Sequence, residues 1–437
     1  MKRRPSPVLR LVLLAAVLVV VLTSRVRDVA SDPRATLAIT QTLLRHGTLC
    51  LDSLGSDAIA DYGTVLVRRG AHTYSAFPLG TSLLATPFVL VATLLGMDLR
   101  PYVNERLLQV LLVALIALAE VVLLERLARR WLPPAWALAA AGLTWFGSSF
   151  ASTQATALWS HDCATLLALV ALDLGLRTGP ESKPVPGWPL GVLLFLAYLC
   201  RPTMSVFVLL MLAYVFAHDR RAALKAALAL AIGVGLFVAA SQYWLGEPLP
   251  PYYRPQRLTG STYGTALLGN LISPSRGLFV FSPLFLLPLL FLGSTVIALR
   301  RERSLALIAV VWPIVHLLLI SRLRHWWAGY SFGPRFCTDI VPGLFVLLCM
   351  TLSVAIRTWR RAAIAGVAVL GGASCLVHTA QGLYNRAPKE WNAEPSIDLH
   401  PELVFDWRYP QFLHTRARQV RRLAEWQAPR GNVGSGE

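Results

Sequence analysis

Hydrophobic and polar positions alternate along this chain on the scale of whole segments. Apolar runs recur that approach the roughly 20 residues a transmembrane helix needs, and short arginine-rich connectors separate them. The first is "LVLLAAVLVVVLT" at residues 11–23. Runs of this length have no periodic polar face for water, so the pattern predicts an all-α polytopic membrane protein.

We predict about 11 transmembrane helices, with the N-terminus in the cytoplasm. The first is uncleaved, because no small-residue cleavage site follows Thr23. The others are predicted at 104–124, 134–149, 160–176, a pair that meets at Arg201, 226–243, 279–299, 305–320, 340–356 and 362–379. Residues 1–380 would then form a transmembrane domain, and residues 381–437 an extracytoplasmic tail.

Residues 78–97, "PLGTSLLATPFVLVATLLGM", are apolar enough to pass as a further span. If they crossed the membrane, Arg126, Arg129 and Arg130 would lie outside, against the positive-inside bias. We therefore place residues 78–97 in the membrane interface, within a first outer loop of about 25–103 that holds juxtamembrane helices.

The loops on the two sides of the membrane differ in kind. Those assigned to the cytoplasm are short and basic, as at 220–225, 300–303 and 357–361. Those assigned to the outside are longer and rich in Trp, Tyr, Pro and Gly. We expect a multi-pass protein of the plasma (inner) membrane, whose chemistry takes place on the extracytoplasmic side.

Composition and charge change this picture little. Of the 437 residues, 55% are hydrophobic and 15% are charged, with a formal net charge of +18. The basic residues lie between apolar runs and not on one face, so they indicate topology and no nucleic-acid partner. The six cysteines form no CxxC pair and no zinc-type spacing, so they do not predict a metal site.

The stretch "SDPRATLAITQTLLRHG" follows the first span directly and predicts an amphipathic helix. Asp32 is suited to the N-cap, Pro33 to the first helical position, and Gly47 to the stop. Residues at near-helical spacing give an apolar stripe for the interface: Ala35, Ala38, Ile39, Thr42 and Leu43. On these residues alone, Asp32 is a helix cap.

A series of short motifs extends this observation along the chain. After Asp32 come "YSAFPLGTSLLATP", "LWSHD", "LCRPT", "YWLGEPLPPYY", "LISPSRGLFVFSPL" and "HWWAGYSFGPRF". The series resembles the GT-C glycosyltransferases, lipid-carrier-dependent enzymes that include protein O-mannosyltransferases and lipid A aminoarabinose transferases, and within them a bacterial subgroup. The resemblance covers nearly the whole chain. It departs at Pro33, where the family motif usually has a second acid.

The resemblance implies transfer of a hexosyl or pentosyl group from a polyprenyl-phosphate donor, with inversion, to a glycan, lipid or protein acceptor of the cell envelope. The other expected partner is membrane lipid. Asp32 matches the family's general base, and Asp162 resembles the second acid of the aminoarabinose transferases. Asp162 in the first turn of a helix, after Ser160, is equally well explained as a cap. No cofactor is certain, and a divalent cation stays open because some relatives use one.

Cationic and aromatic residues complete the expected site. Arg201 breaks an apolar hairpin at the outer side and needs a partner, either a donor phosphate or, alternatively, Asp162 or a lipid headgroup. Arg276 and Arg335 lie in outer turns, where the positive-inside bias makes arginine unexpected, and suit an anion. Arg34 could orient Asp32, and His161 could relay a proton or simply pack. The aromatics proposed to contact substrate, as opposed to forming an interfacial belt, are Tyr74, Trp326 and Trp327.

Two other classes explain part of the pattern. A transporter would also have many spans and arginines at membrane depth, but no pair of broken segments repeats in two halves here. A ligase or polymerase of lipid-linked glycans shares the donor type and cationic sites. An acid in the first outer loop favours the GT-C interpretation over both.

Overall fold

The computed structural model describes residues 7–27, 32–55, 66–176 and 184–428. The predicted domains and first outer loop therefore include positions outside the described residues, among them 28–31, 56–65 and the end of the tail from 429. The α-helices, in chain order, are α1 (Pro7–Thr23), α2 (Thr36–His46), α3 (Gly80–Leu84), α4 (Thr86–Leu94), α5 (Tyr102–Ala128), α6 (Pro134–Phe146), α7 (Ser149–Ser152), α8 (Ser160–Gly175), α9 (Gly187–Cys200), α10 (Ser205–His218), α11 (Arg220–Leu245), α12 (Tyr263–Ile272), α13 (Leu278–Phe281), α14 (Leu287–Leu290), α15 (Leu292–Arg301), α16 (Trp312–Ile320), α17 (Val341–Thr358), α18 (Arg360–Cys375), α19 (Ala387–Ala393) and α20 (Arg416–Gln427).

Shorter turns link these helices. The 3-10 turns are Asp52–Leu54, Gln154–Thr156, Pro202–Met204, Pro251–Tyr253, Pro255–Leu258, Pro283–Leu286, Arg303–Leu305, Arg335–Ile340, Pro401–Phe405 and Gln411–Leu413. π-Helical turns cover Leu307–Val311 and Leu376–Tyr384. Strands β1 (Leu66–Arg69) and β2 (His72–Ser75) pair antiparallel, with Val67 opposite Tyr74.

The membrane character of the chain is confirmed. Within the described residues, five helical segments are long and apolar enough to cross a membrane: Tyr102–Ala128, Arg220–Leu245, Arg303–Ile320, Arg335–Thr358 and Arg360–Tyr384. Shorter apolar helices accompany them: Pro7–Thr23, Gly187–Cys200 and Pro202–His218. The total of about 11 spans and their orientation remain predictions.

The structure adds one pair of short strands to the predicted helical architecture and corrects one helix. The β1–β2 hairpin turns at Gly70, whose φ of 59° favours glycine. The single helix predicted at 279–299 is broken into short pieces, with a bend of 78° between Pro283–Leu290 and Leu292–Arg301. Pro283 and Pro288 lie in the first turn of two of the pieces, the position where a proline, which lacks the N–H of a helical hydrogen bond, is tolerated.

The start of α2 also differs from the prediction. The helix begins at Thr36, and its N-cap is Ala35 in the left-handed region (φ 66°), so neither Asp32 nor Pro33 has the predicted position. Glu105 of α5 supplies the missing acceptor, since its Oε1 receives the Leu37 N–H at 3.0 Å. The predicted end is confirmed: the Gly47 N–H donates to the Leu43 carbonyl, and Gly47 has φ 65°.

The region predicted to lie in the interface forms two short helices, α3 and α4, of 5 and 9 residues. Neither reaches the roughly 20 residues of a span, and the interfacial position stays a prediction. Helix α3 packs tightly against the end of α9, because a Cβ on Gly80 would collide with the backbone of Leu199 and Cys200. This close approach brings the first outer loop next to Arg201.

The C-terminal segment folds back onto earlier parts of the chain. Its side chains bury a small core with the loop after α16, formed by Ala266, Trp326, Trp327, Trp391, Ile397 and Val404. The Trp391 Nε1–H donates to the Tyr409 carbonyl at 2.7 Å and ties two parts of the segment together. The main core lies elsewhere, around the deeply buried helix α17.

Candidate functional site

A polar cavity of about 380 Å³ lies where several loops meet the ends of helices. Its charged residues come from segments far apart in the chain: Asp32, Arg201, Arg257, Arg335 and Asp398. Aromatic rings complete the wall, among them Phe77, Trp159, Tyr252 and Tyr330. Because arginines outnumber aspartates, the cavity suits an anionic ligand that carries groups able to stack or hydrogen bond.

Asp32 is partly buried at the edge of this cavity. Its Oδ2 accepts a hydrogen bond from the Ser160 hydroxyl at 2.5 Å. Burial raises the pKa of the Asp32 carboxyl, but the charges of Arg335 and Arg201 and the bond from Ser160 outweigh it, so the pKa lies below its ordinary value. The carboxylate is therefore ionised at neutral pH and can accept a proton or orient a hydroxyl.

The turn that carries Asp32 is fixed by residues of two other elements. The Thr36 hydroxyl donates to the Asp32 carbonyl at 2.6 Å. Gln109 of α5 donates through Nε2 to the Pro33 carbonyl at 2.8 Å and accepts through Oε1 from the Leu158 N–H at 3.2 Å. One buried side chain thus links the Asp32 turn to the loop that precedes Ser160.

A buried network continues from Asp32 into the protein. Arg201 donates from Nη1 to the Ser160 hydroxyl and from Nε to Asp339 Oδ2, both at 2.9 Å. Asp339 is completely buried, and its other oxygen lies 2.7 Å from His161 Nδ1. Asp339 therefore balances the charge of Arg201 and anchors His161, which is itself buried and does not line the cavity.

Arg335 differs from Arg201 in its surroundings. Its guanidinium lies 4.7 Å from the centre of the Trp159 ring, and its buried Nε has no hydrogen-bond partner among the described residues. Arg257 likewise stacks on an aromatic ring, 3.7 Å from the centre of Tyr252. Stacked guanidinium groups keep their N–H edges available, so this pair is suited to hold a phosphate.

The second predicted acid, Asp162, does not line the cavity. It is completely buried in the first turn of α8, where its Oδ2 accepts the Trp159 N–H at 3.1 Å. This is the contact expected of the cap alternative. A catalytic role for Asp162 stays a prediction.

Arg276 is held by protein acceptors instead of facing the cavity. It is buried, and its N–H groups donate to five oxygens: those of the Trp327, Ser275 and Gly329 carbonyls and of the Gln411 and Asn392 side chains. The arginine thereby fastens the loop after α16 to the C-terminal segment.

The other predicted residues lie around the cavity and not in its wall. Trp326 and Trp327 belong to the small outer core, and the Trp327 Nε1–H donates to Asp398 Oδ1 at 2.7 Å. Arg34 lies over the ring of Tyr102, 5.0 Å from its centre. Tyr74 is buried on β2 and faces a second cavity.

This second cavity is apolar and adjoins the polar one. It has a volume of about 300 Å³ and is lined by residues that include Leu49, Tyr74, Phe77, Leu199, Phe237 and Tyr253. Phe77 lines both cavities, and its ring centre lies 5.6 Å from that of Tyr252 in the polar wall. The two cavities together match an amphipathic ligand with a charged head and an apolar tail.

Sequence reasoning did not single out three of these residues. Arg257 and Asp398 lie in polar outer segments, where charged residues are common and carry little signal. Asp339 had a usable signal, because an acid at the edge of an apolar run calls for a partner.

Comparison with known proteins gives similarities in structure and none in sequence family. No protein-family model matches the chain, and no curated protein matches its sequence. The structure is similar to the Archaeoglobus fulgidus oligosaccharyltransferase tethered with an acceptor peptide, at 12% identity and TM-score 0.54, over 92% of this chain and 59% of that one. The same archaeal enzyme with an inhibitory peptide and a dolichol-phosphate gives TM-score 0.50 at 12% identity, over 92% and 60% of the two chains.

A further solved structure is ArnT from Cupriavidus metallidurans bound to undecaprenyl phosphate, with 20% identity and TM-score 0.49 over 96% of this chain and 74% of that one. The chain spans about three-fifths of the length of the archaeal oligosaccharyltransferase. At these identities the likeness concerns architecture, and the predicted GT-C fold is confirmed at that level.

Proposed function

We propose that this chain, which has the GT-C fold, transfers a sugar from a polyprenyl-phosphate donor to an acceptor at the outer face of the plasma membrane. The observation that carries the proposal is that Phe77 lines both the polar and the apolar cavity. The arginine-rich cavity would hold the sugar phosphate, and the apolar cavity the first prenyl units. The acceptor, a glycan, lipid or protein hydroxyl or amine, would enter from the side of the outer loops.

In the proposed reaction, the acceptor oxygen or nitrogen attacks the anomeric carbon. The bond from that carbon to the phosphate oxygen breaks, with inversion, while the new glycosidic bond forms. Asp32 takes the proton that the acceptor loses, and polyprenyl phosphate leaves with its negative charge. A carboxylate with a lowered pKa can accept the proton of the acceptor group once bond formation has made that proton acidic, late in the reaction. Before then, the carboxylate orients the attacking hydroxyl or amine.

The arginines would stabilise the leaving phosphate. Arg335 and Arg257 carry stacked guanidinium groups in the wall, whereas Arg201 is already paired with Asp339. Arg201 would act through Ser160, keeping its hydroxyl directed at Asp32. The positive charges of Arg335 and Arg201 also act on the Asp32 carboxylate. In this proposal, arginine side chains thus balance the negative charges of the site, as a divalent cation would in other sites.

The test is transfer by the purified full chain in lipid, with a radiolabelled polyprenyl-phosphate sugar as donor. Asp32→Asn keeps the size of the side chain and a hydrogen-bond acceptor for Ser160 but cannot take a proton, so turnover should fall by at least about 100-fold, the lower end for loss of a general base. The melting temperature should stay near that of the wild type.

Asp98→Asn is the matched control, because Asp98 is an outer-loop acid paired with Arg100 and lies outside both cavities. Full turnover by Asp32→Asn would refute the role of Asp32. Equal losses in the two variants would point to a general effect of charge in the outer loop.

A further inference from the structure

The first outer loop contains a second cluster of reactive side chains, none of which lines the polar cavity. Cys50 Sγ lies 2.9 Å from Asp52 Oδ2, His72 Nδ1 lies 2.8 Å from the same oxygen, and Sγ and Nδ1 are 3.5 Å apart. Within the part of the chain that the structure describes, this is the one group of three or more His, Cys, Asp or Glu ligand atoms within 4.8 Å of one another.

The local fold brings these residues together across 22 positions of sequence. Asp52 opens the 3-10 turn, Cys50 lies two residues before it, and His72 opens β2. Two backbone contacts join the segments: the Leu51 N–H donates to the Thr73 carbonyl at 2.8 Å, and the Thr73 N–H donates to Asp52 Oδ1 at 2.9 Å. The second contact holds Oδ1 of the carboxylate, so that the other oxygen, Oδ2, faces the sulfur and the imidazole.

A thiolate, an imidazole and a carboxylate are the three side-chain ligands that Zn²⁺ prefers. Tetrahedral coordination at the usual bond lengths separates such ligand atoms by about 3.3 to 3.6 Å. The Sγ to Nδ1 distance already has this value, and Asp52 Oδ2 would have to withdraw by about 0.5 Å. The side chains of His72 and Asp52 are 59% and 39% exposed, so the carboxylate can move and a fourth ligand can enter.

We propose that Cys50, Asp52 and His72 bind one Zn²⁺ ion, with water as the fourth ligand. The ion would affect the apolar cavity through neighbouring residues. Leu49 precedes Cys50, Tyr74 follows Thr73, and both line that cavity. The ion clamps the 3-10 turn to β2 and so fixes one wall of that cavity. This last step, though not the binding itself, rests on the proposed function.

The thiolate of Cys50, not the thiol, is the form that ligates a metal, so Cys50 releases its proton to solvent when the S–Zn bond forms. Affinity should therefore rise with pH.

The test uses the purified full chain, stripped with a chelator and dialysed against Zn²⁺ or Co²⁺. We expect one Zn²⁺ per chain by elemental analysis and, with Co²⁺, the near-ultraviolet thiolate charge-transfer band of a cobalt–cysteine bond. Cys50→Ser should abolish the band, and both Cys50→Ser and His72→Ala should weaken Zn²⁺ binding by at least about 10-fold. Cys375→Ser, which changes a free cysteine far along the chain, should leave both signals intact.

Two results would overturn the proposal: no cobalt–thiolate band in the wild type, or Zn²⁺ binding of equal strength in Cys50→Ser. Melting temperatures of the metal-free variants, equal to that of the metal-free wild type, would show that the substitutions do not unfold the loop. Since binding is measured without any sugar donor, a cobalt band in a protein that shows no transfer would refute the proposed function and leave the metal site standing.

Discussion

Arg276 and Arg335 occupy two regions that look alike in sequence and differ in structure. Both lie in turns rich in Gly and Pro between apolar segments, "SPSRGLF" and "SFGPRF". Around Arg276 the protein provides five oxygen acceptors, whereas Arg335 lies on the ring of Trp159 with its Nε unpartnered among the described residues. An arginine that the protein has satisfied stabilises the fold, and one that it has left unsatisfied is available to a ligand.

The largest expected effect is on stability, at Arg276. Arg276→Met fills a similar volume but removes the donor of five oxygens, of which Gln411 Oε1 still accepts the Gly333 N–H. The other four are left at about 1 kcal/mol or more each, so unfolding should become easier by about 4 kcal/mol. Thermal melting of the purified protein measures the loss. A variant that melts like the wild type would remove the distinction between the two arginines.

Arg335→Ala should lose activity and keep its stability, the reverse of what is expected for Arg276→Met. Removal of one cation that stabilises a leaving phosphate should lower kcat/KM by about 100-fold to 1,000-fold, with little change in melting temperature. The transfer assay measures this loss. Arg324→Ala is a suitable control, because Arg324 is an exposed arginine of the same loop outside the cavity. Loss of stability without loss of turnover in Arg335→Ala would contradict the comparison.

Gln109 provides a smaller and more specific test of the same cavity. Gln109→Leu removes the bonds to the Pro33 carbonyl and the Leu158 N–H, so Asp32 and Ser160 should be less well aligned opposite Arg335. We expect kcat to fall by about 10-fold with KM nearly unchanged, as for a misplaced catalytic group. A positioning role would be contradicted by equal changes in kcat and KM. It would also be contradicted if no polar residue placed at position 109 restored kcat.

The smallest effect concerns pH. Because the pKa of Asp32 is lowered, the carboxylate is active above that pKa, and kcat/KM should fall only as the pH drops through it, below the ordinary range for Asp. Arg335→Ala removes the largest of the lowering influences, so the acid limb of its profile should move to higher pH. In folded Arg276→Met the limb should stay in place. A limb that does not respond to Arg335 would show that another group titrates.

Sequence reasoning was most successful where one local rule decided the outcome. Gly47 ends α2 as predicted, because a left-handed residue after the last turn is a local requirement. The start of α2 was mispredicted, because Glu105, 68 residues away from Leu37, provides the cap that the local sequence seemed to assign to Asp32. The contact between Cys50 and His72, which are 22 positions apart, was missed for the same reason.

Among the site residues, those with unusual surroundings in sequence could be named in advance. Arg201 was chosen because a charge beside an apolar run is costly without a partner, Arg335 because arginine is unexpected in an outer loop, and Asp32 through the family resemblance. All three line the polar cavity. Trp326 and Trp327 were chosen by type alone, and they pack in the small outer core instead. A side chain's type does not tell which of its neighbours will cover it.

By itself, the sequence determined that this is a membrane protein of many helices, because the lengths of its apolar runs are set by the thickness of a bilayer. It also indicated that charged chemistry would gather at the outer helix ends. Only the tertiary structure decided which arginines line a cavity, which acid meets Ser160, and that Phe77 lines both a polar and an apolar cavity. Those outcomes depend on contacts between residues far apart in the chain, and such contacts leave no period or spacing in the sequence.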